Sequence, residues 1–480
     1  TGANVTTTAD AVRYLADTTL TAPGIVVNSA GGDITFSGTL LGAQSLGLTA
    51  GVGNILFSGV VGGTPLTTVT INSANNVTAN GAFSAASLSI PALTGSAIFN
   101  GNLNLTTGLT TTVGAYNISI LGATQTIAGA TAFNNTGTLT LGNGGDSITF
   151  SAGVVATAPT TKVLNGTVSG GTTGGVINLG TTVVTVSGNS TLGANSASAT
   201  GAVTVGPATL ADSVTLTVGT GSFAGNISLG SITGTAGGQS SNLAVTTTGS
   251  AALGGAMGTD IGSVNVSATG ISLTSTITSP TDTGTAVFLN ANSGNLVISA
   301  NGDIITSRGD VNLDGAQIQT AADIGTVGKA ITFNSPTLLT GNITLDKGTG
   351  GGTGDDITFS STLDGGFTLG ITAGTQNVIF TGTVGGSSLL GSVTINSADT
   401  TTLSSAFSAA SLNVTSDTVE LDGLSIDTSS GGGVVRFNGS TLLKNNLVIT
   451  RGAGAVTFTQ DLNSDSLEYR NLTINGAGGG

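Results

Sequence analysis

Apolar and polar residues alternate in short runs along almost the whole chain, and many of these runs are rich in β-branched residues. Examples are residues 69–71, 138–141 and 214–218. Clusters of Gly, Asn and Asp separate the runs about every six to ten residues, which is typical of turns between short strands. With one exception, no segment keeps the i, i+3, i+4, i+7 spacing of a helix, so the pattern predicts an all-β chain. The exception is Thr8–Leu15, for which a turn or two of helix is predicted.

Two stretches of the chain, more than three hundred residues apart, repeat one another. Residues 33–90 open with DITFSGTL and close with AFSAASLSI, and residues 356–414 open with DITFSSTL and close with AFSAASLNV. A single inserted residue near Leu389–Gly391 shifts the register between the two copies. Internal repetition on this scale is typical of stacked, solenoid architectures.

A strand that ends in Phe recurs at a spacing near twenty residues. Phe36 and Phe57 are 21 residues apart, and so are Phe359 and Phe380. This spacing fits one turn of a solenoid in which each Phe stacks on the next turn, because stacked strands lie ~4.8 Å apart. Strung sandwiches or barrels are disfavoured, because Asn-Gly turns do not recur at hairpin positions. We therefore predict a right-handed parallel β-helix (β-solenoid) of roughly twenty rungs. No charged or Pro-rich linker divides residues 1–480, so one continuous solenoid is expected.

Composition excludes several classes of chemistry. The 480 residues include 79 Gly but no Cys, His or Trp. The lack of Cys excludes a disulfide scaffold, a thiol nucleophile and thiolate metal sites. The net charge of −14 disfavours nucleic acid and anionic lipid as partners, because no Lys/Arg patch is present to neutralise phosphates. No apolar run reaches the length of a transmembrane helix, so membrane insertion is not expected.

The phrases GDITFSGTL, LTAGVGNILFSGVVGG and VTINSA resemble the β-strand repeats of very large bacterial surface proteins. They are similar to the repeats of filamentous-haemagglutinin-type adhesins and autotransporter passenger domains, and the close match covers about a quarter of the chain. This resemblance implies a right-handed β-helix, secretion through the outer membrane and a place on the cell surface. The chain departs from the family pattern in two respects. Neither an N-terminal secretion module with Asn-Pro motifs nor a C-terminal membrane barrel is seen in it. We interpret the chain as a section of something longer.

Carboxylate pairs are the candidates for catalysis, because a β-helix polysaccharide lyase or hydrolase needs acids clustered on one face. The candidate pairs are Asp355 with Asp356, Glu420 with Asp422, and Asp310 with Asp314. Adjacent strand residues point to opposite faces, so the first pair is not expected to act together. Asp356 also occupies the repeat position of Asp33. We interpret these acids as turn-capping or solvated residues and predict no catalytic residue.

Metal and sugar sites have weaker signals. Residues 142–150, GNGGDSITF, are faintly similar to a glycine-rich calcium repeat, but the glycines are misplaced and tandem copies are missing. We therefore predict no cofactor and assign no metal ligand, and structural calcium is left open. The aromatic residues predict a core ladder rather than a sugar platform. The three tyrosines are Tyr14, Tyr116 and Tyr469. Glycosylation is left open for exposed Asn-Xaa-Ser/Thr sequons. Among these sequons are Asn4, Asn76, Asn117, Asn165, Asn226, Asn265, Asn342 and Asn413.

These observations predict a structural or adhesive extracellular filament on the bacterial cell surface, and not an enzyme. Its expected partners are identical subunits stacked end to end, or a continuation of the solenoid within a longer chain. A host or neighbouring-cell ligand is not identified. Two alternatives stay open: a β-helix polysaccharide lyase or hydrolase, and a sheath or surface-layer component.

Overall fold

The computed structural model describes residues 1–172, 174–193, 201–237, 240–258, 260–279, 284–306, 309–348, 354–465 and 469–476. All regular structure in these ranges is β-strand, and the described pairings between strands are parallel. The strands make about twenty turns of a parallel β-solenoid, which confirms the predicted fold class. The handedness of the coil and its continuity over residues 1–480 stay predictions. None of the described residues belongs to a helix that is long and apolar enough to cross a membrane.

Contacts divide the chain into two units, Thr1–Thr235 with Ala244–Ser250, and Ala236–Leu243 with Ala251–Gly480. The described strands of the first unit are β1 Val5–Thr6, β2 Val12–Tyr14, β3 Thr18–Thr19, β4 Ile25–Asn28, β5 Ile34–Phe36, β6 Leu40–Leu41, β7 Leu46–Thr49, β8 Ile55–Phe57, β9 Val61–Ser73, β10 Val77–Ala79, β11 Phe83–Ile90, β12 Ser96–Phe99, β13 Leu103–Thr111, β14 Asn117–Ile120, β15 Thr124–Ile127, β16 Thr131–Ala132, β17 Thr138–Phe150, β18 Val154–Val155, β19 Thr161–Ser169, β20 Ile177–Asn178, β21 Val184–Val186, β22 Ser190–Leu192, β23 Val203–Val205, β24 Ala208–Leu210, β25 Thr215–Val218, β26 Ile227–Leu229 and β27 Ile232–Gly234. Two strands hold residues of both units, β28 Ser241–Thr246 and β29 Ser250–Leu253.

The described strands of the second unit are β30 Met257–Gly258, β31 Ile261–Ser267, β32 Gly270–Leu273, β33 Ile277–Ser279, β34 Thr285–Asn290, β35 Asn295–Ile298, β36 Ile304–Thr306, β37 Asp310–Asp314, β38 Gln317–Thr320, β39 Ile324–Gly325, β40 Ile331–Phe333, β41 Thr337–Leu339, β42 Ile343–Asp346, β43 Ile357–Phe359, β44 Leu363–Asp364, β45 Leu369–Thr372, β46 Val378–Phe380, β47 Leu390–Ser397, β48 Thr400–Leu403, β49 Phe407–Leu421, β50 Ser425–Asp427, β51 Val435–Leu443, β52 Leu447–Arg451, β53 Val456–Phe458, β54 Leu462–Ser464 and β55 Leu472–Gly476.

The first turns of the first unit are built from three short strands each, and in later turns two of these strands merge into longer ones such as β9 and β17. Strands β1, β2 and β3 pair in parallel with β4, β5 and β6 of the next turn. Inward and outward residues alternate along each strand, as in β5 and β8, where the first and third residues are buried. This alternation follows from the two-residue period of a strand, so one apolar column faces the interior while Thr and Ser face outward. The second unit uses the same plan, with β41, β42 and β43 paired to β44, β45 and β46.

The predicted Phe ladder is confirmed within both copies of the repeat. In the first copy, the rings of Phe36 and Phe57 stack with centroids 5.4 Å apart. In the second copy, Phe359 and Phe380 stack at 5.2 Å. Both pairs lie directly in register on adjacent strands, β5 with β8 and β43 with β46.

The ladder does not continue along the same strands in the first copy. Phe57 is in register with Ala79, whose small side chain leaves space in the interior. The ring of Phe83, from the adjacent strand column, fills that space and meets Phe57 edge to face with centroids 5.7 Å apart. The prediction that each Phe stacks on a Phe of the next turn is therefore wrong at this turn. Close packing of the interior is completed by a side chain from the adjacent strand column instead.

The residue inserted between the two copies lies in an outward bulge. In the first copy, Val61 and Leu66 pair with the neighbouring turn, and the residues between them are looped out. In the second copy the same bulge extends from Val384 to Leu390, one residue longer. The bulge starts at a glycine with positive φ in both copies, so an extra residue changes the loop without changing the core register.

The helix predicted over Thr8–Leu15 is wrong. Residues Val12–Tyr14 form strand β2, which pairs with β5. Val12 is buried in register with Ile34, and the Tyr14 ring stacks on Phe36 with centroids 4.7 Å apart. Stacking on the next turn overrides the weak local preference for helix.

Candidate functional site

Asn and Asp side chains at the starts of strands form a repeated contact between turns, which we call the Asx ladder. In the first unit it consists of Asp33, Asn54 and Asn76. The Oδ1 atom of Asp33 accepts a hydrogen bond from the backbone N–H of Asn54 at 2.8 Å. Asn54 Oδ1 accepts one from Asn76 N–H at 3.2 Å, and Asn76 Oδ1 accepts one from Ser96 N–H at 2.9 Å. The side-chain oxygens thus satisfy backbone donors at the corner of each turn.

The second copy of the repeat forms the same ladder through Asp356 and Asn377. Asp356 Oδ1 accepts from the Asn377 N–H at 3.0 Å, and Asn377 Oδ1 accepts from the Thr400 N–H at 3.2 Å. The neighbouring candidate, Asp355, has a different partner, because its Oδ2 lies 3.6 Å from Lys329 Nζ. The two adjacent carboxylates therefore engage different groups.

Glu420 and Asp422 lie at the end of β49 and each contacts the following turn. Glu420 Oε2 forms an ion pair with Lys444 Nζ at 2.7 Å. Asp422 Oδ1 accepts a hydrogen bond from Asn445 Nδ2 at 2.7 Å. Both acids are half-buried. The structure brings these two carboxylates to the same strand end, and each already has a partner.

Asp310 and Asp314 occupy opposite ends of β37. The two residues are four positions apart along the strand, so their Cα atoms are separated by about 13 Å, whereas glycosidases use carboxylate separations of about 5–10 Å. Asp310 Oδ1 accepts from the Ala330 N–H at 3.1 Å, and Asp314 Oδ1 accepts from the Gly315 N–H at 2.8 Å. The structure does not bring this pair together.

The first residues of the glycine-rich stretch 142–150 form an outward loop within β17, and residues 147–150 pair with β15. Gly142, Gly144 and Gly145 have positive φ, and the strand register is interrupted between Leu141 and Asp146. Asp146 is buried, and its Oδ2 accepts a hydrogen bond from the Asn143 N–H at 2.7 Å. In the part of the chain that the structure describes, no group of three or more acidic side chains could hold a metal ion.

Most of the predicted sequons participate in contacts between turns. The Oδ1 atoms of five sequon residues accept hydrogen bonds from the backbone of the following turn, namely Asn4, Asn76, Asn117, Asn226 and Asn342. Asn413 Oδ1 accepts one from the side chain of Asn438. Asn265 is exposed in the middle of β31, and Asn165 is half-buried in β19.

Two of the three tyrosines pack within the solenoid, and the third is exposed. Tyr116 is 1% exposed, and its hydroxyl donates to the backbone oxygen of Thr112 at 2.9 Å. Tyr14 is held in the aromatic stack on Phe36, and burial raises the pKa of its hydroxyl. Tyr469 is fully exposed.

In comparisons with protein-family models, with curated proteins and with solved structures, no match to this chain was found. The resemblance to bacterial surface repeats therefore stays a prediction.

Two buried lysines were missed by the sequence reasoning. Lys162 is 1% exposed and faces inward between Leu139 and Val184. Its Nζ donates to the backbone oxygen of Pro159 at 3.1 Å and to the hydroxyl of Thr182. Burial lowers the pKa of this ammonium. The alternation along β19 carried the signal, since Lys162 has the same phase as the inward Leu164.

Lys347 is fully buried at the end of β42. Burial lowers its pKa, the carboxylates of Asp355 and Asp356 act in the opposite direction, and repulsion from Lys329 lowers it further. Lys347 is therefore close enough to both acids and to Lys329 for their charges to act on it. No sequence motif distinguishes this group of charges.

A shallow groove of about 430 Å³ lies on the outward face of the second unit. It forms because Gly325 lies in register between Ile305 and Asp346 and has no side chain to fill the space. Asp303 and Asp323 line its edge, and both accept hydrogen bonds from backbone N–H groups of the following turn. The groove is thus a gap between outward side chains of the ladder.

Proposed function

We propose that this chain is a non-catalytic segment of an extracellular fibre on the bacterial surface, with a structural or adhesive role. The observation that supports the proposal is that one set of contacts joins each turn to the next. Inward apolar residues, parallel strand pairing and the Asx ladder repeat from turn to turn. Adding a further turn therefore requires no new kind of interaction, and length is gained by repetition.

The last described turn supports assembly through its exposed inward residues. Ile449 is completely buried, whereas Ile474, its partner on β55, is 47% exposed. Phe437 is also completely buried, whereas Phe458, its partner on β53, is only half-buried. These apolar positions, together with the edges of β53 and β55 that no other described strand covers, fit another turn of the same kind. A second copy or a continuation of the chain would supply it.

The chemistry of the carboxylates also favours a structural role. Asp33 and Asp356 bind backbone donors of the following turn, and Asp355 and Glu420 form ion pairs with lysines of adjacent turns. Acids used in this way hold turns together. No cofactor is required by this proposal, and no adhesion ligand is assigned.

One observation favours the enzymatic alternative enough to be tested. Glu420 and Asp422 are two residues apart at one strand end, so their Cα atoms are separated by about 7 Å. Carboxyl groups at such separations can perform acid–base chemistry on a glycosidic bond.

The deciding experiment is cryo electron microscopy of the purified chain, combined with sedimentation. The fibre proposal predicts concentration-dependent polymers with a layer spacing of ~4.8 Å along the axis. Ile474→Asp should shorten them, because it places a carboxylate on the exposed inward position. Leu424→Asp is the matched control, since Leu424 is 67% exposed in a turn within the stack. Monomers at all concentrations, together with polysaccharide cleavage that Glu420→Gln abolishes, would instead support the enzyme.

A further inference from the structure

Seven Asn-Gly pairs occur in the chain, and each is a candidate for spontaneous modification of its asparagine. The pairs begin at Asn80, Asn100, Asn143, Asn165, Asn301, Asn438 and Asn475. In such a pair the glycine amide nitrogen can attack the asparagine side chain, because glycine has no Cβ to obstruct the approach. The reaction needs a glycine N–H that is free, an asparagine side chain that can rotate, and room for a five-membered ring.

Asn143–Gly144 meets these requirements within the outward loop of β17. Asn143, Gly144 and Gly145 are all exposed. The loop lies in the gap of the strand register between Leu141 and Asp146, so Gly144 has no partner in the described ladder. A Cβ placed on Gly144 or on Gly145 would meet no atom within 4 Å. Among the residues that the structure describes, Asn143 is held through its backbone N–H, which donates to Asp146 Oδ2, and its side chain has no such partner and can rotate.

The stacking of turns restrains the pairs at Asn80 and Asn100 and leaves no room for the ring to form. Asn100 Nδ2 donates to Asn80 Oδ1 at 2.9 Å, which fixes both side chains. Gly81 and Gly101 pack against the preceding turn, where an added Cβ would lie 2.6 and 2.2 Å from a backbone oxygen.

Three further pairs are held in other ways. The N–H of Gly166 donates to Ser190 Oγ, and that of Gly302 donates to the Ser299 backbone oxygen at 2.8 Å. The side chain of Asn438 is bound by Arg436 and Asn413. The last pair, at Asn475, is exposed in β55, in register with Thr450 and Arg451 of the preceding turn, so it is not a protected reference site.

We propose that Asn143 is a site of spontaneous deamidation and isoaspartate formation in the folded protein. The Gly144 nitrogen bonds to Cγ of Asn143, the Cγ–Nδ2 bond breaks, and ammonia leaves with the proton from the Gly144 N–H. A succinimide ring remains between the two residues. Water then opens the ring at either carbonyl and leaves aspartate or isoaspartate at position 143. The open loop accommodates the extra backbone carbon of isoaspartate, while the stacked turns on either side keep their register.

The test is to age the purified full-length chain at mildly alkaline pH, digest it at acidic pH and follow each asparagine by mass spectrometry. We expect Asn143 to react at least about ten-fold faster than Asn80, Asn100 or Asn438, since a barrier higher by only ~1.4 kcal/mol slows a reaction ten-fold. Isoaspartate-specific methyltransferase labelling of the peptide that contains position 143 should be lost in Asn143→Gln, which leaves the core untouched. In urea the difference among sites should disappear, because the protection comes from the fold.

Two results would overturn the proposal. One is similar deamidation at Asn143 and at the stacked pairs in the folded chain. The other is methyltransferase labelling of the peptide that contains position 143 at the same level in Asn143→Gln as in the wild type.

Discussion

The aromatic stack around Phe359 allows the contribution of ring stacking to be separated from that of burial. Phe359 is 1% exposed, and its ring stacks on Phe333 at 4.6 Å and on Phe380 at 5.2 Å. Truncation to Ala should cost about 3–5 kcal/mol of unfolding free energy, through lost burial and a residual cavity. Phe359→Leu keeps most of the apolar volume but loses two ring contacts, each contributing about 0.5–1.5 kcal/mol. We therefore expect it to cost about 1–3 kcal/mol.

Urea unfolding followed by far-ultraviolet circular dichroism measures these losses, and two matched variants interpret them. Phe458→Leu removes one stacking contact, with Phe437 at 5.3 Å, from a half-buried ring, so it should cost less than half as much as Phe359→Leu. Phe367 is 39% exposed, and Phe367→Leu should change stability by no more than about 0.5 kcal/mol. Equal losses for Phe359→Leu and Phe458→Leu would refute the reasoning, since the number of stacked neighbours would then have no effect.

Three further predictions use the same unfolding assay. Lys162→Met should stabilise the chain at neutral pH by about 1 kcal/mol or more, because a buried ammonium is replaced by an apolar side chain of similar length. The pKa of Lys162 is lower in the folded state than its ordinary value of about 10.4, so between these two pKa values the unfolded chain binds more protons than the folded chain. The stability of the wild type should therefore rise with pH across this window, and the stability of Lys162→Met should rise less. Gly385→Ala should cost at least about 2 kcal/mol, because Gly385 has a φ of 67° and an added Cβ would lie 2.0 Å from a backbone oxygen, whereas Gly366→Ala, with no atom within 4 Å, should be nearly neutral. Asp356→Ala should lower the free energy of unfolding by about 1–2 kcal/mol, because the Asn377 N–H loses its acceptor. Asp356→Asn keeps a side-chain oxygen and should retain most of that stability. An equal loss in both variants would contradict the Asx ladder.

The charged groups show how far sequence reasoning reached in the candidate site. The repeat position shared by Asp33 and Asp356 predicted a structural role for both acids, and each binds the backbone of the following turn. The lysine partners of Asp355 and Glu420 were not predicted, because Lys329 and Lys444 come close only through the stacking of turns. Contacts of this kind depend on the number of residues in each turn, which the local pattern does not specify.

The sequence by itself determined the class of fold. Strand alternation, the duplicated blocks 33–90 and 356–414, and the 21-residue spacing of Phe36 and Phe57 together required stacked parallel turns, since a strand buries only every second residue and a repeat must stack to cover its apolar face.

The tertiary structure alone decided how individual turns fit together. Thr8–Leu15, predicted to be helical, contains strand β2 instead. Phe83 lies in the space beside Ala79, and Lys162 is buried. The physical reason is common to all three. Each outcome depends on side chains about twenty residues away that become neighbours only after the turns stack, and close packing there outweighs the local preferences of the chain.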